Sequence, residues 1–198
     1  MEMSKYSIAI HGGAGALDDV SSYQTSITRI LNEMKELADS GMKAMDLVEQ
    51  AVIKLENDPI FNAGKGGVLN ADGIVECDAA IMDGRDMEAG AIAAVQGIKN
   101  PISLARKVIT ESPHVMLIGD GVREFAKGLG EEFANNDYFV TESRAKQLEE
   151  AKKSDKIVLD HSDTKEEKLG TVGAVAIDEE GNLAAATSTG GIVNKRFG

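Results

Sequence analysis

Glu166-Glu167-Lys168-Leu169-Gly170-Thr171-Val172-Gly173-Ala174-Val175-Ala176 runs from a charged segment, across a Gly-Thr pair, into alternating small and β-branched residues. The alternation predicts a strand that opens with a hydroxyl, an odd choice for packing alone. Scission between Gly170 and Thr171 gives that hydroxyl a purpose, because the freed α-amine lies beside its own Oγ and can serve as its base. An α-amine has an unperturbed pKa of roughly 7.7 to 8.0, so it can take up and return a proton near neutral pH. Gly170 suits the position. Without a Cβ it leaves its carbonyl open to attack and tolerates strained backbone angles. A Gly-Thr pair before a strand is common by itself, and its weight comes from the company it keeps.

Downstream, Val172 to Ile177 and Leu183 to Ser188 flank Asp178-Glu179-Glu180-Gly181-Asn182, a turn, and predict an antiparallel hairpin. Such a hairpin carries Thr171 at one end and Thr187-Ser188-Thr189-Gly190-Gly191 at the other, so strand geometry brings Thr189 near Thr171. Upstream, residues 153–168 are rich in Lys, Asp, Glu, Ser and Thr. Such a segment buries too little apolar surface to offset its ordering entropy, which predicts a mobile tether.

The N-terminal part supplies a scaffold. Tyr6 to Ile10 reads as a strand running into the loop His11-Gly12-Gly13-Ala14-Gly15-Ala16, whose backbone can approach a ligand or another segment closely. That loop lacks the Gly-Lys-Ser/Thr of a phosphate loop and does not complete a dinucleotide fingerprint. Apolar spacing predicts helices over Thr25 to Ala38 and Lys43 to Glu56, the second stopped by Pro59. Asp72-Gly73 and Asp83-Gly84 are hairpin signals, and they predict strand material at Val68 to Asn70, Ile74 to Ala79 and Ala80 to Met82. The carboxylates Asp72, Glu76, Asp78, Asp83, Asp86 and Glu88 on these hairpins are read as solvated. A strand over Ala89 to Val95, a helix from Ile102 to Thr110 opened by Asn100-Pro101, a short strand at Val115 to Ile118, a helix through Phe125 and one from Thr141 to Lys152 complete the chain.

Composition narrows the function. The 198 residues suffice for one sizeable core. With no Trp and 4% aromatics, that core must rest on Ala, Val, Ile, Leu and Met. A net charge of -12 argues against nucleic acid, which is held mainly by Lys and Arg on phosphates. Cys77 is the lone cysteine, excluding an intrachain disulfide or a cysteine zinc site, and His11, His114 and His161 lack ligand spacing. Neither a signal peptide core nor an apolar run of roughly 20 residues is present, so a cytoplasmic setting without membrane contact is expected.

Gly170-Thr171-Val172-Gly173, Thr187-Ser188-Thr189-Gly190-Gly191, Phe61-Asn62-Ala63-Gly64 and His11-Gly12-Gly13-Ala14-Gly15 stand together in one chain. In this combination the sequence resembles the plant-type asparaginases with isoaspartyl-peptidase activity, which are N-terminal nucleophile hydrolases. The resemblance runs from Ser7 to Gly198 apart from the tether. It implies an α+β fold, a four-layer αββα sandwich incomplete at the C-terminus. It also implies one domain, 1–198, divided into an α-subunit region, 1–170, and the start of a β-subunit region, 171–198.

The resemblance further implies roles. Thr171 matches the nucleophile, Gly170 the residue before the self-cleaved bond, Thr189 the threonine that orients the nucleophile, and Asn62 its supporting asparagine. His11, Gly12 and Gly13 match the glycine-rich loop that assists cleavage. Leu55, Glu56, Asp58, Phe61, Ala63 and Lys65 match a loop whose backbone carbonyls hold a structural sodium ion, with no organic cofactor. The implied reaction hydrolyses L-asparagine to aspartate and ammonia, or cleaves β-aspartyl dipeptides, in a homodimer of cleaved αβ protomers. The family pattern continues past Asn194-Lys195-Arg196-Phe197-Gly198 with a substrate-gripping arginine and aspartate and a further Thr-Gly pair. The chain is therefore read as part of a longer or truncated protein, with an inactive precursor or non-catalytic module as one alternative. The other alternative, an α/β-hydrolase-like esterase using Ser188 in Ala186-Thr187-Ser188-Thr189-Gly190, lacks a histidine after the serine.

Overall fold

The computed structural model describes residues 6–14, 20–153 and 170–196. Six strands form one sheet: β1 (Ser7–His11), β2 (Cys77–Asp83), β3 (Glu88–Val95), β4 (Met116–Ile118), β5 (Val172–Ile177) and β6 (Leu183–Thr189). Their order is β1-β5-β6-β2-β3-β4, antiparallel except for β3 with β4. The parallel step needs a crossover, supplied by α3 (Pro101–Glu111). The expected residues 153–168 tether lies, from 154 onward, outside the described residues.

Helices cover one face. α1 (Ser21–Asp39) packs by β1, α2 (Ala44–Asn57) over β5 and β6, α3 over β2 and β3, and α4 (Gly119–Gly128) by β3 and β4. The strands' alternation fits this: Val172, Ala174, Ala176, Ala184, Ala186, Ala79, Ile81 and Ile92 are buried toward the helices with Leu47, Val48, Ala51, Val52, Leu104 and Val108. Asp178, 3% exposed, closes the β5–β6 turn and caps α2: its Oδ1 accepts from the amides of Glu180 and Asn182, and its Oδ2 from Ala44 N at 3.2 Å. α5 (Glu142–Lys153) begins as expected at Thr141, whose Oγ1 accepts from Arg144 N at 3.2 Å.

On the other face Ala9, Ala80, Met82, Ala91, Val175 and Thr187 line a shallow apolar depression of about 480 Å³, with Val175 54% exposed. The described residues thus form one helix layer on one sheet, a mixed α/β arrangement, where the resemblance implies four layers.

The segment between α2 and β2 departs from expectation. Val68 to Asn70 and Ile74 to Glu76 are not strands; one isolated bridge joins Leu69 to Val75. The Asp72-Gly73 turn is real, but the Asn70 side chain organises it by accepting from Asp72 N and Ile74 N at 3.0 and 2.9 Å, a local bond that competes with a ladder. Four of the carboxylates read as solvated are engaged, Asp83 and Asp86 by nearby Arg85 and the other two by more distant partners. Asp78 Oδ1 accepts from Ala94 N at 2.8 Å, at a bulge where Ala94 has φ 55°, and Glu76 is held by Gln96 and Lys195.

Candidate functional site

The hairpin register sets the centre of the site. Val172 pairs with Ser188, so the same antiparallel register, one residue further, puts Thr171 opposite Thr189. Buried Val172 and Ser188 face the helices, which turns Thr171 and Thr189 toward the open face. Thr171 is exposed at the mouth of β5, immediately after Gly170. Thr189 Oγ1 accepts from Gly191 N at 3.1 Å, and the neighbouring Thr187 donates to Val172 O at 2.9 Å.

From the other side β1 brings the glycine loop. His11 pairs with Gly173 and is the last residue of its strand rather than part of the loop, leaving Gly12 and Gly13 to run toward Thr171. Gly12 packs so closely on Phe61 that a Cβ there would lie 2.7 Å from the ring. Gly13 has φ 125°, and a Cβ on it would lie 2.7 Å from Gly170 N and 3.0 Å from Gly170 O. Gly13 therefore rests against Gly170, the residue that precedes Thr171. Gly15 lies outside the described residues.

Asn62, 1% exposed, holds the turn after Thr189. Its Nδ2 donates to Gly191 O at 3.0 Å, its Oδ1 accepts from Val68 N at 2.9 Å, and its carbonyl accepts from Gly190 N at 3.1 Å. Gly190 lets the two segments meet, since a Cβ there would lie 2.6 Å from Asn62 Oδ1. Asn62 thus braces the Gly190-Gly191 backbone that follows Thr189.

The six carbonyl-bearing residues occupy the end of α2 and the loop after it. Leu55, Glu56, Phe61 and Ala63 are fully buried. The carbonyls of Leu55, Glu56 and Asp58 each accept one backbone N–H, from Asp58, Lys65 and Phe61. A carbonyl oxygen has a second lone pair. The last carbonyls of a helix lack intrahelical partners and form its negative pole. The bond of Lys65 N to Glu56 O at 2.8 Å brings both ends of the segment together. This all-oxygen set fits a hard cation such as sodium. No side-chain cluster suited to a metal occurs among the described residues.

Glu56 also carries a feature invisible in the sequence. Its carboxyl lies wholly buried between α3 and β6, accepting from Ile102 N at 3.0 Å and Asn100 Nδ2 at 3.2 Å. Burial pushes it up to about 8 despite these bonds. The Ser188 hydroxyl lies beside it without a well-formed hydrogen bond. Ser188 is fully buried inside a strand facing the helices, which overturns the esterase alternative: that chemistry needs its serine exposed on a strand-to-helix elbow.

A family profile described as asparaginase matches residues 4–198. Isoaspartyl peptidase of Escherichia coli K12 is 45% identical over 203 residues, covering 98% of this chain and 63% of that protein. Isoaspartyl peptidase/L-asparaginase of Homo sapiens is 45% identical over 194 residues, covering 96% of this chain and 62% of the relative. The protein of the same name from Xenopus laevis is 43% identical over 194 residues, with 96% and 61% covered. The chain thus spans a little under two thirds of the length of these relatives. With this match across nearly its full length, and with Thr171 facing Thr189, the chain belongs to the asparaginase family.

Proposed function

We propose that this chain carries the nucleophile half of a threonine amidohydrolase that cleaves itself between Gly170 and Thr171 and then hydrolyses L-asparagine or β-aspartyl dipeptides. The observation that carries this reading is the register placing Thr171 opposite Thr189, with Gly13 against Gly170. The names of the similar proteins support the substrate class.

In the proposed reaction Thr171 Oγ attacks the Gly170 carbonyl, the acyl group moves from nitrogen to oxygen, and water hydrolyses the ester. The free amine of Thr171 then serves as base for its own Oγ, which attacks the substrate amide. Ammonia or an amino acid leaves, and water releases aspartate from the β-aspartyl ester. Thr189 orients Oγ, and Asn62 holds the turn that carries Thr189 in place. Preorganised donors for the oxyanion supply a large share of the acceleration.

A sodium ion on the carbonyls of Leu55, Glu56, Asp58, Phe61, Ala63 and Lys65 would brace the segment that presents Asn62. A second sheet on the open face would complete the four-layer sandwich, and the apolar depression around Val175 and Met82 supports it. A homodimer of cleaved protomers in the cytoplasm completes the reading. No helix among the described residues is long and apolar enough to cross a membrane.

The test uses the full-length protein. Incubation followed by a denaturing gel and intact mass is expected to give two fragments, the second beginning at Thr171, with Thr171→Ala remaining whole. Ammonia release from asparagine and aspartate release from a β-aspartyl dipeptide then assign the substrate. A wild-type chain that stays intact and inert on prolonged incubation refutes the reading.

A further inference from the structure

Beneath the Gly190-Gly191 turn lies a charged pair that none of the roles above uses. Lys195 Nζ sits 3.4 Å from Glu76 Oε2 and donates to the Glu76 carbonyl at 3.4 Å, with both side chains only 12 to 13% exposed. Gln96 Nε2 donates to the other Glu76 oxygen at 2.8 Å. Burial would raise the Glu76 carboxyl, but bonds from Gln96 and Asn70 and the Lys195 charge outweigh it and hold it below the ordinary carboxylate range. The Lys195 main chain is pinned as well: its carbonyl accepts from Ala71 N, and Asn194 N donates to Leu69 O, both at 2.9 Å.

The distal part of Lys195 packs on Gly191. A Cβ there would lie 3.3 Å from Nζ, 3.8 Å from Cδ and 3.9 Å from Cε, and φ at Gly191 is 80°. The Gly191 peptide joins the two groups of the site, with its N–H on Thr189 Oγ1 and its C=O on Asn62 Nδ2. We infer that Lys195, anchored by Glu76, is a positioning residue for the Thr189 hydroxyl, its side chain propping the Gly191 peptide against Thr189 and Asn62. With one Oγ lone pair taken by Gly191 N–H, the Thr189 proton is free to be donated across the strand pair to Thr171 Oγ. The inference rests on the amidohydrolase reading for its kinetic consequence, but not for its structural one.

Lys195→Met and Glu76→Gln in the full-length protein test it. Each is expected to lower kcat roughly 10- to 100-fold, as misplacement of a reacting group does, with KM within about twofold because substrate contacts are untouched. Each is also expected to speed hydrogen exchange of the Gly191 amide about tenfold or more, as a loosened local bond does. Glu76→Gln preserves shape and the Gln96 bond, and decides the matter if Lys195→Met fails to fold. Unchanged kcat and unchanged Gly191 exchange in an active wild-type background overturn the inference, and so does a fall in kcat matched by a rise in KM. If the wild type neither cleaves nor turns over, the functional reading falls, and Gly191 exchange alone decides whether Lys195 props that peptide.

Discussion

Gly13 and Gly170, 157 residues apart in sequence, are in van der Waals contact through their backbones: a Cβ on Gly13 would lie 2.7 Å from Gly170 N. Gly13→Ala must therefore displace the residue before Thr171, and it also places an L side chain at φ 125°. The expected result is self-cleavage slowed roughly 10- to 100-fold, followed as intact mass against time, with the fold preserved by circular dichroism.

Thr187 and Thr189 point to the same face two residues apart, yet differ in what they hold. Thr187 bonds a β5 carbonyl, so Thr187→Val is expected to cost about 1 kcal/mol of stability and leave turnover within a few-fold. Thr189→Val removes the hydroxyl facing Thr171, and kcat is expected to fall by about two orders of magnitude or more. Steady-state rates and urea midpoints on the two variants separate the cases.

Asn62→Leu leaves Val68 N and Gly191 O without their partner in a buried setting. A loss of about 1 to 3 kcal/mol per unpaired group follows, measured by urea unfolding, together with a loss of turnover beyond that of Thr187→Val.

Asp178 supplies a pH dependence. Burial raises its carboxyl, but bonds from the amides of Ala44 and Asn182 outweigh that and hold it below the ordinary aspartate range. A lowered native pKa means stability present above the unfolded value, roughly 3.9, and lost as pH falls through the native value. Asp178→Asn is therefore expected to be the less stable protein at pH 6 and to lose less on acidification below about pH 4, read from thermal midpoints across that range.

Cys77 gives a probe of the core. Burial pushes its thiol up to about 12, so the thiolate that reacts with alkylating agents is absent near neutral pH. Iodoacetamide at pH 8 is expected to leave the native protein unmodified by mass and to add one group per chain in denaturant.

Much of this was legible in the chain. The β5–β6 hairpin, the helices at 21–39, 44–57, 101–111 and 142–153, and the approach of Thr171 to Thr189 follow from local alternation, 3.6-residue spacing and turn chemistry. The segment from Phe61 to Glu76 misled because its residues find their partners far along the chain: Asn62 bonds Gly191, Glu76 binds Lys195, and Asn136 Oδ1 accepts from Val75 N. The burial of Glu56 is similar. A glutamate at the end of an amphipathic helix reads as solvent-facing until α3 is seen to arrive with its amides.

The sheet order β1-β5-β6-β2 has a mechanical consequence. β5 and β6, which follow residue 170, lie between two strands that precede it, so they are zipped on both flanks by the N-terminal portion. A nick before Thr171 severs the covalent thread without undoing a rung of either ladder. The two pieces stay interleaved like a tongue in a groove, and parting them requires unfolding the sheet itself.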